Sequence, residues 1–333
     1  MRDRLDRIDA WTQRHSWLAF PIAVWKKFGD DDAGKLAALV AYYSFFGIFP
    51  LLLVMVTVLG IALEDNEELQ QRVLDSALGQ LPVIGDELSG DIGALSGAGL
   101  GLVIGLGLAF VGARGMASAM QYAANEVWDV PKADRPSGIK EVLRSLALLI
   151  VGAGGLVATS VLAGFMTGLV DLGPASRIAG LALSGLLNVG VFVLSFRIAT
   201  ASSIATRALL PGAIVAAAGW TVLQFFGTWL VTGQVERAGN TYGFFAIVIG
   251  LLTYLFIAAQ MTLYALELSV VRERRLWPRS LFRSPTTAAD QEVLTLAVHA
   301  EQRVEEQQID VDFQPAEPAE HSHADQSDGS RHP

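Results

Sequence analysis

The sequence predicts an all-α polytopic membrane protein, with six transmembrane helices and both termini in the cytoplasm. Hydrophobic residues fill 52% of the 333 positions and charged residues only 17%, whereas roughly 25% of an average soluble domain is charged. The apolar residues gather in six charge-free runs, 36–63, 92–113, 145–170, 178–196, 208–235 and 238–266, and about 20 apolar residues suffice to cross the hydrocarbon core as a helix. The basic residues are divided unequally: 20 fall in the segments that share a side with the N-terminus, and only Arg72, Arg177 and Arg237 fall in the opposite loops. Basic loops stay inside, so this asymmetry places both termini in the cytoplasm and the chain in a plasma or inner membrane.

The elements follow in order. In residues 1–35, Trp11, Trp17, Phe20, Trp25 and Phe28 alternate with Arg14, Lys26 and Lys27; this suits an amphipathic helix at the inner headgroup level, or else a solvated arm. The first span, 36–63, carries Pro50 near its middle, where a missing N–H kinks a helix unless its neighbours compensate. The loop 64–91 holds eight acidic residues against Arg72 alone, and Leu69, Val73, Leu74, Ala77, Leu78 and Leu81 have the spacing of a helix or two lying across the outer mouth. The second span, 92–119, has Gly97, Gly101 and Gly105 at intervals of four, and the third, 145–170, has Gly164 and Gly168; small residues so spaced let helices approach closely. Spans four to six are placed at 178–196, 208–235 and 238–268, with Pro211 at the inner start of the fifth, where proline is tolerated as a first helical residue. Residues 272–333 form a basic juxtamembrane segment and then a tail. From residue 284 onward that tail carries 11 acidic and 2 basic residues, which accounts for the whole net charge of −9. Too few large apolar residues remain to offset ordering entropy, so the tail is expected to be mostly disordered, with a short helix around 290–307.

Several function classes are excluded by what is missing. The chain has no cysteine, hence no disulfide scaffold, thiolate nucleophile or Cys-ligated metal. Its five histidines, His15, His299, His321, His323 and His332, all lie in the terminal segments, and the cytoplasmic loops offer Glu126, Asp129, Asp134 and Glu141 without metal-ligand spacing. No acid, base or nucleophile constellation emerges, so no catalytic residues, no metal and no cofactor are expected. The glycines of span two miss the dinucleotide register and there is no P-loop. Basic residues spread along one face beside an acidic tail do not make a nucleic-acid surface. The partners expected are membrane lipids and other envelope proteins, with the oligomeric state left open.

Three segments carry a family resemblance. Lys35-Leu-Ala-Ala-Leu-Val-Ala-Tyr-Tyr-Ser-Phe-Phe-Gly-Ile-Phe-Pro-Leu-Leu-Leu53 is the first. Ala119-Met-Gln-Tyr-Ala-Ala-Asn-Glu-Val-Trp-Asp-Val130, followed by Arg135 and Leu143-Arg144, is the second. The third runs from Arg207 through Pro211-Gly212-Ala213 and Trp220 to Tyr242-Gly243 and Leu266-Glu267-Leu268. In this order the segments resemble the YihY/BrkB family of bacterial inner-membrane proteins over roughly residues 15–280. The resemblance implies a protein of the envelope-integrity or serum-resistance type, once misassigned as a tRNA-processing ribonuclease, with a part in moving envelope lipids in view. The competing readings are a non-transporting scaffold for envelope proteins and, more remotely, a membrane-embedded hydrolase or ribonuclease.

Charges and helix breakers at membrane depth are the candidate site residues, because hydrocarbon penalises both. Arg114, Asn125, Glu126, Arg197, Arg207 and Glu267 gather by topology at the inner leaflet. They either snorkel to the interface or pair with one another, Arg114 or Arg197 with Glu126 or Glu267, or Arg207 with Glu267. Tyr43, Ser44, Pro50, Pro211, Tyr242 and Gly243 are the candidate cavity or hinge residues.

Overall fold

The computed structural model describes residues 9–62, 99–169, 174–201, 203–238, 244–281 and 286–313. The acidic loop 64–91, together with Tyr242 and Gly243, lies outside the described residues. Among those described the architecture is helical throughout. A short helix, α1 (Ser16–Asp30), precedes six long ones: α2 (Ala33–Ala62), α3 (Gly99–Val127), α4 (Ile139–Leu169), α5 (Pro174–Ala199), α6 (Thr206–Ala238) and α7 (Phe244–Arg274). A last helix, α8 (Ala288–Ala300), follows. Each long helix packs against two neighbours in chain order and α7 returns to α2, so the six close into a ring.

Four stretches among the described residues are long and apolar enough to cross a membrane, Ile139–Leu162, Ile178–Ala199, Thr206–Phe226 and Val248–Arg274. Their outer faces are exposed although apolar: Leu181 is 76% and Phe225 78% accessible. A water-soluble bundle does not leave such faces uncovered. The helices also outrun the charge-free runs. α4 begins at Ile139, so Lys140 and Arg144 are helical, and α7 continues to Arg274. Lipid limits where charge can sit, not where backbone hydrogen bonding stops.

Among the described residues, Gly112 and Gly115 provide close packing. A Cβ on Gly112 would stand 2.8 Å from the Phe46 carbonyl oxygen, and one on Gly115 2.7 Å from the Tyr43 ring; α2 and α3 therefore meet almost backbone to backbone. The surroundings of Gly97, Gly101, Gly105, Gly164 and Gly168 lie outside what is described, as do those of Pro50, through which α2 runs as one helix.

One expectation changes and another gains a docking site. Pro211 is not a first-turn residue: it lies inside α6, five residues after Thr206. The next amide, Gly212 N–H, donates to Ser269 Oγ of α7 at 2.8 Å, so the proline site is sealed by a neighbouring helix. In the tail, the short helix is ordered and docked as α8. Thr287 and Asp290 form a reciprocal capping box at its start. Val293 is 1% exposed and belongs to the main core, and Lys132 pairs with Glu301 at 2.6 Å. Residues 288–300 thus form the short helix expected around 290–307, and what the tail's own composition does not reveal is its docking through Asp290 and Val293. Residues 314–333 lie outside the described set.

Candidate functional site

The α1 end of the ring holds the densest buried charge. Ala19, Ala23 and Lys27 recur every four residues on the buried face of α1, while Trp17 and Trp25 on the opposite face are exposed. This is the amphipathic helix that the aromatic and basic pattern predicts, but one of its basic residues points inward. Phe28 stacks on Tyr264 of α7 at 3.8 Å between ring centroids, and Phe20 meets Trp277 edge-on. These contacts clamp α1 onto α7.

Lys27 is fully buried, and its ammonium bonds the Asp31 carboxylate and lies 3.1 Å from Asp129. Glu267 of α7 is also fully buried and interacts with both Lys27 and Asp31. Arg274 reaches Asp129 at 3.4 Å and donates to the Trp128 carbonyl oxygen at 2.6 Å. Asp129 can turn into this space because it adopts φ +48° just past the end of α3, a conformation that Asp tolerates better than most side chains. The Val130 N–H closes the turn by donating to the Asn125 carbonyl oxygen at 3.0 Å.

The electrostatics follow from burial. Burial alone would lower the Lys27 ammonium pKa, but the charges of Glu267, Asp31 and Asp129 hold it well above its ordinary value. Burial pushes the Asp31 carboxyl up to about 6, Lys27 opposing this and Asp129 adding to it. Neither Glu267 oxygen meets a hydrogen-bond donor, because its carboxylate faces that of Asp31. Two ionised carboxylates are acceptors only, and one proton shared by the pair turns the contact into an O–H···O bond between Asp31 and Glu267. With that proton the five side chains Lys27, Arg274, Asp31, Asp129 and Glu267 sum to zero charge. Among the described residues no group of three or more His, Asp and Glu has the geometry of a metal site; in this cluster the lysine ammonium stands between the carboxylates.

A second network ties α1 to the C-terminal segment. Asp290 accepts from Lys26 Nζ at 2.8 Å, Arg279 Nε at 2.9 Å and the Ser280 N–H at 3.0 Å, and Arg279 also pairs with Asp30 at 2.7 Å. Burial would raise the Asp290 carboxyl, but hydrogen bonds from Lys26, Thr287, Ser280 and Arg279 hold it well below the usual carboxylate range.

The sequence-derived candidates are regrouped by these contacts. Glu267 lies in the field of Lys27 and against Asp31, with no salt bridge to Arg114, Arg197 or Arg207. Glu126 pairs with Arg135 at 2.6 Å, not with Arg114 or Arg197. Asn125 is a buried bracket: its Nδ2 donates to the Ala199 carbonyl oxygen at 3.1 Å and its Oδ1 accepts from the Ala201 N–H at 2.8 Å, fixing the end of α5 on α3. Arg197 turns back to the Ala201 carbonyl oxygen at 3.3 Å, and Arg207 is exposed. Ser44 is buried, whereas Tyr43 and Arg114 line a groove between α2 and α3. Sequence reasoning missed Lys27, Asp31 and Asp129 as one site. The available signal was the run Asp30-Asp31-Asp32 at the C-terminal end of α1, where a helix dipole disfavours acids and each needs a cation; they find Arg279, Lys27 and Lys35.

Two of the three segments of the resemblance therefore meet in space: Asn125 to Asp129 of the second, from α3, and Pro211-Gly212 and Glu267 of the third, from α6 and α7, surround one end of the ring. A family model described as "Virulence factor BrkB" matches residues 24–289. The chain belongs to the BrkB family. Among its curated BrkB-like relatives, the "Inner membrane protein YhjD" of Escherichia coli (strain K12) is 23% identical over 289 residues, covering 80% of this chain and 85% of that protein. An uncharacterized protein of Dickeya dadantii (strain 3937) is 24% identical over 289 residues, covering 79% of this chain and 87% of its own length. No solved structure matches this BrkB-family chain. The matched region takes in α2 to α7 and the C-terminal part of α1, and stops one residue after α8 begins.

Proposed function

We propose that this BrkB-family membrane protein maintains the cell envelope, without catalysing a reaction, by passing a lipid or other amphiphile between the leaflets of the inner membrane. Six spans, both termini in the cytoplasm and the loop 64–91 outside complete the reading. The observation that carries it is the gathering of Lys27, Asp31, Asp129, Glu267 and Arg274 at one end of a ring whose flanks are apolar and exposed. Such an arrangement closes one side of a bundle with charge and leaves the remaining surface to lipid. Positive-inside asymmetry puts that closed end in the cytoplasm.

Headgroup-labelled lipid reconstituted with the full chain should equilibrate between leaflets faster than in empty liposomes, and Glu267→Gln should change that rate. Equal rates with and without protein would remove the transport reading and leave a scaffold. The orientation has its own check. The chain lacks cysteine, so a single cysteine at Asp75 should react with an impermeant thiol reagent in intact cells, and one at Asp134 should not. Labelling at Asp134 alone would invert the topology.

A further inference from the structure

We propose that the groove between α2 and α3 binds the phosphate-bearing headgroup of a membrane glycerophospholipid, with Arg114 as the anion ligand. This deepens the amphiphile reading and rests on its membrane placement. The groove has a volume of about 460 Å³ and is lined by Leu39 and Tyr43 of α2 and by Phe110, Val111, Arg114 and Tyr122 of α3, among others. Its floor exists because residue 115 is glycine: the Tyr43 ring lies where a side chain would stand, 2.7 Å from a Cβ built at Gly115.

Three observations point to a lipid. Residues 92–113, which precede Arg114, carry no charge, and a charge-free apolar run of this length suffices to cross the hydrocarbon core. Arg114, the first charge after it, stands at the depth of the inner-leaflet phosphates. Its side chain is exposed and forms no ion pair with any described residue. The nearby carboxylate, Glu141, is engaged by the Ser118 hydroxyl one turn further along α3. Around the guanidinium the surface is apolar and uncovered: Phe110 is 50% and Val111 68% exposed. Toward the α1 end the polar character returns, with the Arg135 guanidinium 5.6 Å from the centroid of the Tyr122 ring.

A guanidinium fork facing an otherwise apolar membrane surface lacks a counter-ion, and a phosphodiester supplies one bidentately. Acyl chains then continue along Phe110 and Val111, toward the hydrocarbon. The apolar run above the arginine is what favours a lipid over free phosphate.

The test is lipid retention by the full chain, purified in detergent, stripped and re-exposed to phosphatidylglycerol, to diacylglycerol or to inorganic phosphate, with bound lipid counted by native mass spectrometry. Phosphatidylglycerol should be retained, and Arg114→Gln should weaken retention by at least about tenfold, as expected when a charge-assisted hydrogen bond is lost. Arg114→Lys should recover part of it. Val111→Trp, which fills the groove and keeps the charge, should also weaken it, so that the outcome does not depend on the fold of one variant. Equal retention of diacylglycerol, displacement by inorganic phosphate alone, or unchanged retention in both Arg114→Gln and Val111→Trp would each overturn the site. Retention without transbilayer movement would sink only the transport reading; movement with retention indifferent to Arg114 would sink only this one.

Discussion

Replacing Lys27 by methionine is expected to destabilise the folded protein by about 3–5 kcal/mol, the cost of removing one partner from a buried ion pair. The methionine stem fills the same volume, so the loss is electrostatic. Asp31, Asp129 and Glu267 would then share a buried space with Arg274 as their remaining cation. Thermal unfolding of the detergent-solubilised protein and its steady-state level in membranes are the measurements. Lys27→Met combined with Asp31→Asn should recover much of the loss, because it removes one of the stranded charges. Equal stability of Lys27→Met and wild type would show that the lysine is bystander to the fold. The same cluster carries a pH dependence. The Asp31 carboxyl is raised to about 6 in the folded state, against roughly 3.9 when unfolded. The folded state therefore binds more protons, and the stability this site contributes is fully present below about pH 4 and is lost as pH rises through 6. The stability difference between wild type and Asp31→Asn should shift in that window and be flat above it. Because Asp31 and Glu267 are in contact, the midpoint belongs to the pair.

How far the sequence could be read depends on the kind of information each feature needs. The helices over 139–169, 174–199, 206–238 and 244–274 lie within a few residues of the expected spans, since apolar run length is local and the bilayer sets its threshold. The polar end was legible as a place: topology alone brought Asn125, Glu126, Arg197 and Glu267 to one leaflet. Its pairing was not. Lys27 reads as one of several basic residues before the first span, and nothing in its neighbourhood shows that it, rather than Arg197, turns toward Glu267. That choice is made by the buried face of α1, where Ala19 and Ala23 let the helix lie close to α7, and by the left-handed turn that delivers Asp129. In the tail the short helix was legible from its apolar spacing but its docking was not, because Asp290 meets Lys26 and Arg279, cations that lie outside the tail. The Gly97, Gly101 and Gly105 series has the spacing of a packing face, but the closest described backbone approach is at Gly212, where only one glycine is needed.

Gly212→Ala should be the most damaging of the glycine substitutions. A Cβ at this position would lie 2.2 Å from the Ala265 carbonyl oxygen and 2.4 Å from Ser269 Oγ. The serine can rotate away, but the carbonyl belongs to the backbone of α7, so relief requires the two helices to separate. Overpacking of this kind costs about 1–3 kcal/mol and occasionally more. Separation also breaks the 2.8 Å bond from the Gly212 N–H to Ser269 Oγ. That amide lies just after Pro211, and leaving a buried donor unpaired adds about 1–3 kcal/mol. Ser269→Ala isolates this second cost without the clash and should be milder. Gly190→Ala is the control: nothing lies within 4 Å of its Cβ position, and alanine is the better helix former by roughly 1 kcal/mol, so it should be neutral or slightly stabilising. Unfolding temperatures in detergent rank the three. The expected order is Gly190→Ala above Ser269→Ala above Gly212→Ala. A Gly212→Ala protein as stable as the Gly190→Ala control would mean that α6 and α7 do not meet this closely around Pro211, and that the proline site is sealed some other way.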